Sequence, residues 1–149
     1  MSRVVDYVVD ASVFLPLLLR YGRSLRGVLA RNRFHVLDLT CYETCNGLWK
    51  ESVKLRILDT GTATRLCRCF IEIAARYTRI HSICELDAAR VMEIAVSCGI
   101  TFYDAAYIEL ARMHGIPVAS NDRDILVNAP RYGVEVYSLA EFEKLLGLG

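Results

Sequence analysis

The chain is expected to fold as a three-layer α/β/α domain around a central parallel sheet of about five strands. Short runs of β-branched and aromatic residues alternate with longer segments of helical apolar spacing, the order that lays covering helices over parallel strands. At 149 residues the chain suits one domain, residues 1–149, with a core that needs no staples, and no linker, repeat or low-complexity tract divides it. A hydrophobic share of 54% fits a tightly packed α/β domain, or one with an apolar surface for association.

The elements follow in order. "RVVDYVVDASVF", residues 3–14, reads as a buried first strand. Leu15 to Arg31 has helical spacing, with Leu17, Leu18, Tyr21, Leu25, Val28 and Leu29 on its apolar side. "FHVLDL" is a second strand, and Thr40 with Glu43 three residues on has the spacing of a capping box for the helix "CYETCNGLWKESVKLRIL". "DTGT" is a turn, after which Thr62 or Thr64 is expected to cap a helix running to about Tyr77. "RIHSI" is the third strand. Two helices follow, "ELDAARVMEIAVSCG" and "TFYDAAYIELARMHG", each closed by a glycine at 99 or 115. "IPVASN" and "VEVYSL" are the last strands and "AEFEKLLGL" the closing helix.

Charge is close to balanced, 18 Lys and Arg against 17 Asp and Glu, so no overall basic field marks a nucleic-acid binder. Locally, Arg20, Arg23, Arg26, Arg31 and Arg33 fall in a stretch from Ala11 to Leu37 that has no acid. The apolar N-terminal run is interrupted by Asp10 and Pro16, so it reads neither as an export signal nor as a membrane span. The protein is therefore expected to be cytoplasmic, with no membrane partner and with reduced cysteines. Cys41, Cys45, Cys67, Cys69, Cys84 and Cys98 contain no C-x-x-C pair. His35, His81 and His114 stand at no ligand spacing, which speaks against zinc and for surface or packing roles.

Four acids stand at the ends of elements. Asp10 closes the first strand and Asp122 follows the fourth, so both emerge on the carboxyl edge where open α/β sheets bind ligands. Glu43 lies in a first helical turn and Asp104 early in a helix, among apolar neighbours. Each has a plain structural reading as well: Asp10 as a cap, Glu43 as half of a capping box, Asp122 as the start of a turn. No cap role is evident for Asp104.

The segments "VVDASVFL", "ETCNGLWK", "YDAAYIELARMHGIPVASND" and "GVEVYSL", in this order from about Val5 to Leu139, resemble the PIN-domain ribonucleases, above all the small VapC-type toxins. The resemblance implies a divalent-metal-dependent endoribonuclease that hydrolyses RNA phosphodiester bonds, the toxin of a toxin–antitoxin pair. It makes Asp10, Glu43, Asp104 and Asp122 the catalytic and metal-binding acids for Mg2+ or Mn2+. Ser12 and Ser120 match hydroxyl residues beside that site, with Asn121 and Asp124 in supporting positions. It also implies a homodimer and a small antitoxin seated in an apolar groove. The proline that often precedes the family's second acid is absent, where this chain has "LDLT". Arg20, Arg23 and Arg26, three residues apart, are expected on one helix side, either as a solvated face or as contacts to RNA phosphates. Tyr42, Trp49 and Tyr103 are expected in the core rather than stacked on bases. Two alternatives stand beside this reading. An inactive PIN scaffold acting as a binding module is disfavoured by the presence of all four acids, and a structure-specific DNA nuclease by the small size of the chain. A phospho-accepting receiver domain lacks its acidic pair and its lysine here.

Overall fold

The computed structural model describes residues 3–148. Strand β1 (Val5–Val9) is shorter than its composition suggests, because Asp10 takes extended backbone geometry and its carboxylate accepts the Val13 N–H at 3.3 Å. That cap starts helix α1 (Ala11–Tyr21) and overrides the β-propensity of "SVF". The single helix expected over residues 15–31 is two, since α1 ends at Gly22 and a tight turn leads into α2 (Leu25–Leu29). Arg20, Arg23 and Arg26 consequently sit on three successive elements and share no helix face, and Arg20 pairs with Glu143.

Strand β2 (Asn32–Leu37) runs straight into α3 (Asp38–Trp49). Thr40 is not the cap: it lies inside α3, and its hydroxyl accepts the Leu37 N–H at 3.1 Å. The last turn widens over Lys50–Lys54, where Leu55 N–H reaches back five residues to the Lys50 carbonyl at 3.0 Å. Asp59, rather than either threonine, caps α4 (Thr60–Tyr77), its carboxylate accepting the Thr62 N–H at 2.9 Å. Strand β3 (Thr78–His81) follows, then α5 (Ala88–Cys98) and α6 (Phe102–His114). Gly99 and Gly115 end these helices at φ 65° and 61°, a left-handed geometry that favours glycine. The short β4 (Val118–Ala119) leads to α7 (Arg123–Asn128), a helix the apolar spacing did not announce. Asp122 starts α7 by accepting the Asp124 N–H at 2.8 Å. Strand β5 (Val136–Tyr137) and α8 (Leu139–Leu145), opened by a Ser138–Glu141 capping box, complete the chain.

The five strands are parallel in the order β3-β2-β1-β4-β5. The chain builds outward from β1 to β3 and then crosses to the other side for β4. The strand order therefore reverses between β1 and β4, the place where such sheets open a crevice at their carboxyl ends. Alternation along β1 divides the core into two layers. Tyr7 and Val9 join Phe14, Phe34, Phe70 and Phe142 beneath α1, α4 and α8. Val8 joins Val91, Ile94, Ile108 and Leu110 beneath α5 and α6. Each fully buried side chain of this size contributes roughly 1.5–3 kcal/mol relative to exposure.

All six cysteines are free thiols. Cys45 of α3 and Cys67 of α4 face each other with sulfurs 3.0 Å apart, and burial together with that neighbour pushes the Cys45 thiol up. Within α6, the fully buried Glu109 carboxylate accepts from Arg112 Nε and Nη2, both at 2.7 Å. Removing Arg112 orphans that charge. Arg112→Met is expected to destabilise the fold by about 2–4 kcal/mol, somewhat below the full cost for a buried pair because Arg112 is 38% exposed. Urea unfolding measures the loss, and Glu109→Leu combined with Arg112→Leu should restore most of it.

Candidate active site

The carboxyl ends of β1 and β4 carry the acids expected there. Asp10, just past β1, is buried, and both of its oxygens are occupied: Ser12 Oγ donates to Oδ1 at 2.6 Å and Ser120 Oγ to Oδ2 at 2.5 Å. Each serine also accepts a backbone N–H from the β4–α7 connection. Ser12 accepts from Asn121 at 2.8 Å and Ser120 from Asp122 at 2.9 Å. The two hydroxyls thus tie the carboxylate after β1 to the loop after β4, across the point where strand order reverses. Asn121 turns its own side chain away, its Oδ1 accepting the Leu139 N–H at 2.9 Å and anchoring α8.

Asp104 stands in the first turn of α6. Thr101 caps that helix, accepting the Asp104 N–H at 3.1 Å while its hydroxyl donates to Asp104 Oδ2 at 2.8 Å. The carboxylates of Asp104, Asp122 and Asp124 each present an oxygen within 4.8 Å of the others, close enough for one shared cation. Asp124 is therefore not a residue standing behind Asp122, as the sequence suggested, but a member of the cluster. Asp10 and Glu43 lie outside this trio; Glu43 is coupled by charge to Asp104 and Asp122, and Asp10 to Glu43.

Glu43 is oriented by a residue that sequence reasoning left without a role. Tyr107 Oη donates to Glu43 Oε1 at 2.9 Å and meets Thr40 Oγ1 at 2.8 Å. Leu37 N–H, Thr40 and Tyr107 form one hydrogen-bonded chain that ends on the Glu43 carboxylate as acceptor. The signal was present in the spacing, because Tyr107 lies three residues after Asp104 and so shares its helix face.

Three of the acids are held above the usual carboxylate range. Asp10 is pushed up to about 6, by burial first and then by the Glu43 charge, against the serine and Val13 hydrogen bonds. Glu43 is raised by burial and by the charges of Asp104 and Asp122. Asp104 is raised by burial and by Asp122 and Asp124. Among the described residues no salt bridge joins any of these five acids to a Lys, Arg or His.

The aromatic residues expected in the core are outside it. Tyr42, Trp49 and Tyr103 are exposed. Tyr42 and Tyr103, each next in sequence to an acid, line an apolar hollow of about 260 Å³ with Leu37, Leu39, Ile83 and Phe102. The arginines lie elsewhere. Arg20 lies in the last turn of α1, an eleven-residue helix that Asp10 caps at its other end, and a helix of that length is about 16 Å long. Arg23 borders a separate hollow with Arg65 and Arg68.

A parallel sheet of order 3-2-1-4-5, with five uncompensated carboxylates at its switch point, defines a class of α/β domain with an acidic ligand site. The chain belongs to the PIN domain family, whose model matches residues 7–130. It is 33% identical over 122 residues to the exonuclease VapC9 of Pyrobaculum aerophilum, covering 82% of this chain and 84% of that protein. Over 132 residues it is 32% identical to the ribonuclease VapC3 of the same organism, covering 87% and 96%. The crystal structure of PAE2754 from P. aerophilum superposes with a TM-score of 0.74 at 26% identity, over 97% of this chain and 91% of that one. The PilT N-terminus domain protein SSO1118 of Sulfolobus solfataricus shares the fold at 12% identity, with a TM-score of 0.51 over 95% and 93% of the two chains.

A testable pH dependence follows from the raised acids. Their folded-state values lie above their unfolded ones, so the folded protein binds more protons through that interval and loses stability as pH rises. For Asp10 the penalty sets in from about 4, the unfolded value, and is complete above about 6, the folded one. In chelator, the contribution of this site is expected to improve stability as pH is lowered from 7 to 5. Asp10→Asn should flatten that part of the profile in chemical denaturation at stepped pH, and a profile as steep as wild type would count against it.

Proposed function

We propose that the protein is a divalent-metal-dependent endoribonuclease, the toxin of a toxin–antitoxin pair, acting through Asp10, Glu43, Asp104 and Asp122 with Asp124 in the same cluster. The observation that carries the reading is the convergence of these carboxylates at the β1/β4 edge with no cationic side chain paired to them. The names of the two relatives, an exonuclease and a ribonuclease, support nuclease chemistry. An all-oxygen donor set of high negative charge fits a hard ion such as Mg2+ or Mn2+ and fits softer metals poorly. Asp104, Asp122 and Asp124 would hold the ion, with Asp10 beside them. Bound there, such an ion supplies Lewis acidity at the phosphate and neutralises charge that develops on its oxygens.

The protein's own groups supply the rest. Glu43 gives Oε1 to the Tyr107 hydrogen bond, which leaves Oε2 to orient a water and accept its proton as that water attacks phosphorus. The raised Glu43 carboxyl is better matched to that proton transfer than an ordinary surface carboxylate. Ser12 and Ser120 keep Asp10 fixed beside the carboxylates that would hold the ion. The Tyr42–Tyr103 hollow beside the acids suits an apolar segment of a small antitoxin, whose binding there would cover the site. Trp49, Val53, Leu55 and Ile57 form an exposed apolar run suited to a homodimer contact. Arg23, with Arg65 and Arg68, is the better candidate for phosphate contact, because Arg20 is engaged by Glu143.

Asp104→Asn is expected to abolish RNA cleavage and leave the protein folded, with equal or greater stability in chelator, since it removes one of several repelling charges. At tenfold over its dissociation constant, an ion that binds only the folded state adds about 1.4 kcal/mol, a rise in Tm of roughly 3–6 °C for a domain of this size. Wild type should show that rise with Mn2+ and Asp104→Asn much less of it. Cleavage of end-labelled RNA with Mn2+ or chelator tests the activity and separates internal cuts from trimming at an end. Equal metal shifts in both proteins, or a destabilised variant that still cleaves, would make Asp104 a structural residue.

A further inference from the structure

The three histidines that are scattered in sequence come together in space. His35 on β2 and His81 at the end of β3 are buried neighbours on parallel strands, with His35 Nδ1 2.9 Å from His81 Nε2. His114, the last residue of α6, is exposed and sets its ring 5.3 Å from that of His35 and 5.0 Å from that of His81. The three rings each offer a nitrogen within 4.8 Å of the others. His114 stands at the opposite end of α6 from Asp104, so this cluster is separate from the acidic site.

The outward nitrogens of the buried pair both face carboxylates. His35 Nε2 lies 2.8 Å from Asp6 Oδ1, and His81 Nδ1 lies 3.3 Å from Glu85 Oε1. A carboxylate accepts only, so each contact calls for an N–H on the histidine side. Two neutral imidazoles own two such hydrogens. If both point outward, the inward nitrogens meet lone pair to lone pair, an arrangement that needs a cation between them. A third proton is one solution, but burial lowers the proton affinity of both rings. A metal ion is the other, and it uses what the histidines present: bare inward nitrogens whose tautomers are set from behind by carboxylates, the supporting pattern typical of histidine-bound metals.

We propose that His35, His81 and His114 form a site for a borderline transition-metal ion of the zinc class, pinning the end of α6 to strands β2 and β3. Nitrogen ligands favour zinc over the hard ions suited to the carboxylate cluster. Zn–N bonds of about 2.0–2.1 Å at a tetrahedral angle set ligand nitrogens roughly 3.3–3.4 Å apart. His35 and His81 reach that by parting a few tenths of an ångström from their present contact. The exposed side of His114 leaves the fourth position to water.

The test is zinc titration of the whole chain at neutral pH against a chromogenic zinc indicator, in wild type, in Asp104→Asn/Asp122→Asn and in His114→Ala. His114 is exposed, so its loss spares the core. The expected result is one tightly bound zinc in wild type and in the double Asp variant, with at least a tenfold loss of affinity in His114→Ala. Cobalt should give the intense visible absorption of a tetrahedral nitrogen site in the first two proteins and not in the third. Equal zinc affinity in wild type and His114→Ala, or loss of binding only in the Asp variant, overturns the proposal and leaves the buried pair sharing a proton. Failure here leaves the nuclease reading intact, because that reading rests on the other end of α6.

Discussion

Mutual repulsion among carboxylates at one edge of the sheet is the constraint on which the rest of this structure turns. Five acids are drawn together where β1 and β4 part, in a setting dry enough to raise at least Asp10, Glu43 and Asp104. A marginally stable fold loses free energy by this unless the acids serve as caps and loop anchors as well. Asp10 begins α1, Asp122 begins α7, and Asp104 accepts from the hydroxyl of Thr101, the cap of α6. The site is thus built from helix starts, where the macrodipole offsets part of the charge. Ser12 and Ser120 add the connection across strands that keeps Asp10 from swinging out to solvent.

The same logic accounts for what surrounds the acids. Tyr107 is buried and its hydroxyl has two partners, so it can orient Glu43 without leaving an unpaired polar atom behind. Tyr42 and Tyr103 project from the same helical turns but outward, which places an apolar hollow against a charged edge.

Much of this was legible from the residues. Strand–helix alternation gave the layer order, Gly99 and Gly115 marked two helix ends, and the positions of Asp10 and Asp122 after strands placed both on one edge. The departures have physical causes. An aspartate cap outweighed β-branched composition in "SVF", and Gly22 broke a helix whose apolar spacing continued through it. Helix α7 was hidden because it is six residues long and lacks a full amphipathic period. Tyr42 and Trp49 were misplaced because aromatic character alone does not tell core from interface. The histidine cluster was invisible for a different reason: pairing of β2 with β3 and the run of α6 back across the sheet create it, and no local spacing encodes either. Asp124 was set behind Asp122 because sequence adjacency does not say which of two carboxylates turns inward.

The central claim is that the carboxylates at the β1/β4 edge hold a hard divalent ion. Anomalous diffraction from crystals grown with Mn2+ tests it most directly. The account predicts a manganese peak bonded at about 2–2.3 Å to oxygens of Asp104 and Asp122, with Asp124 or Asp10 completing the protein ligands. A saturated crystal with no manganese at that edge, and those side chains pointing apart into solvent, would contradict it.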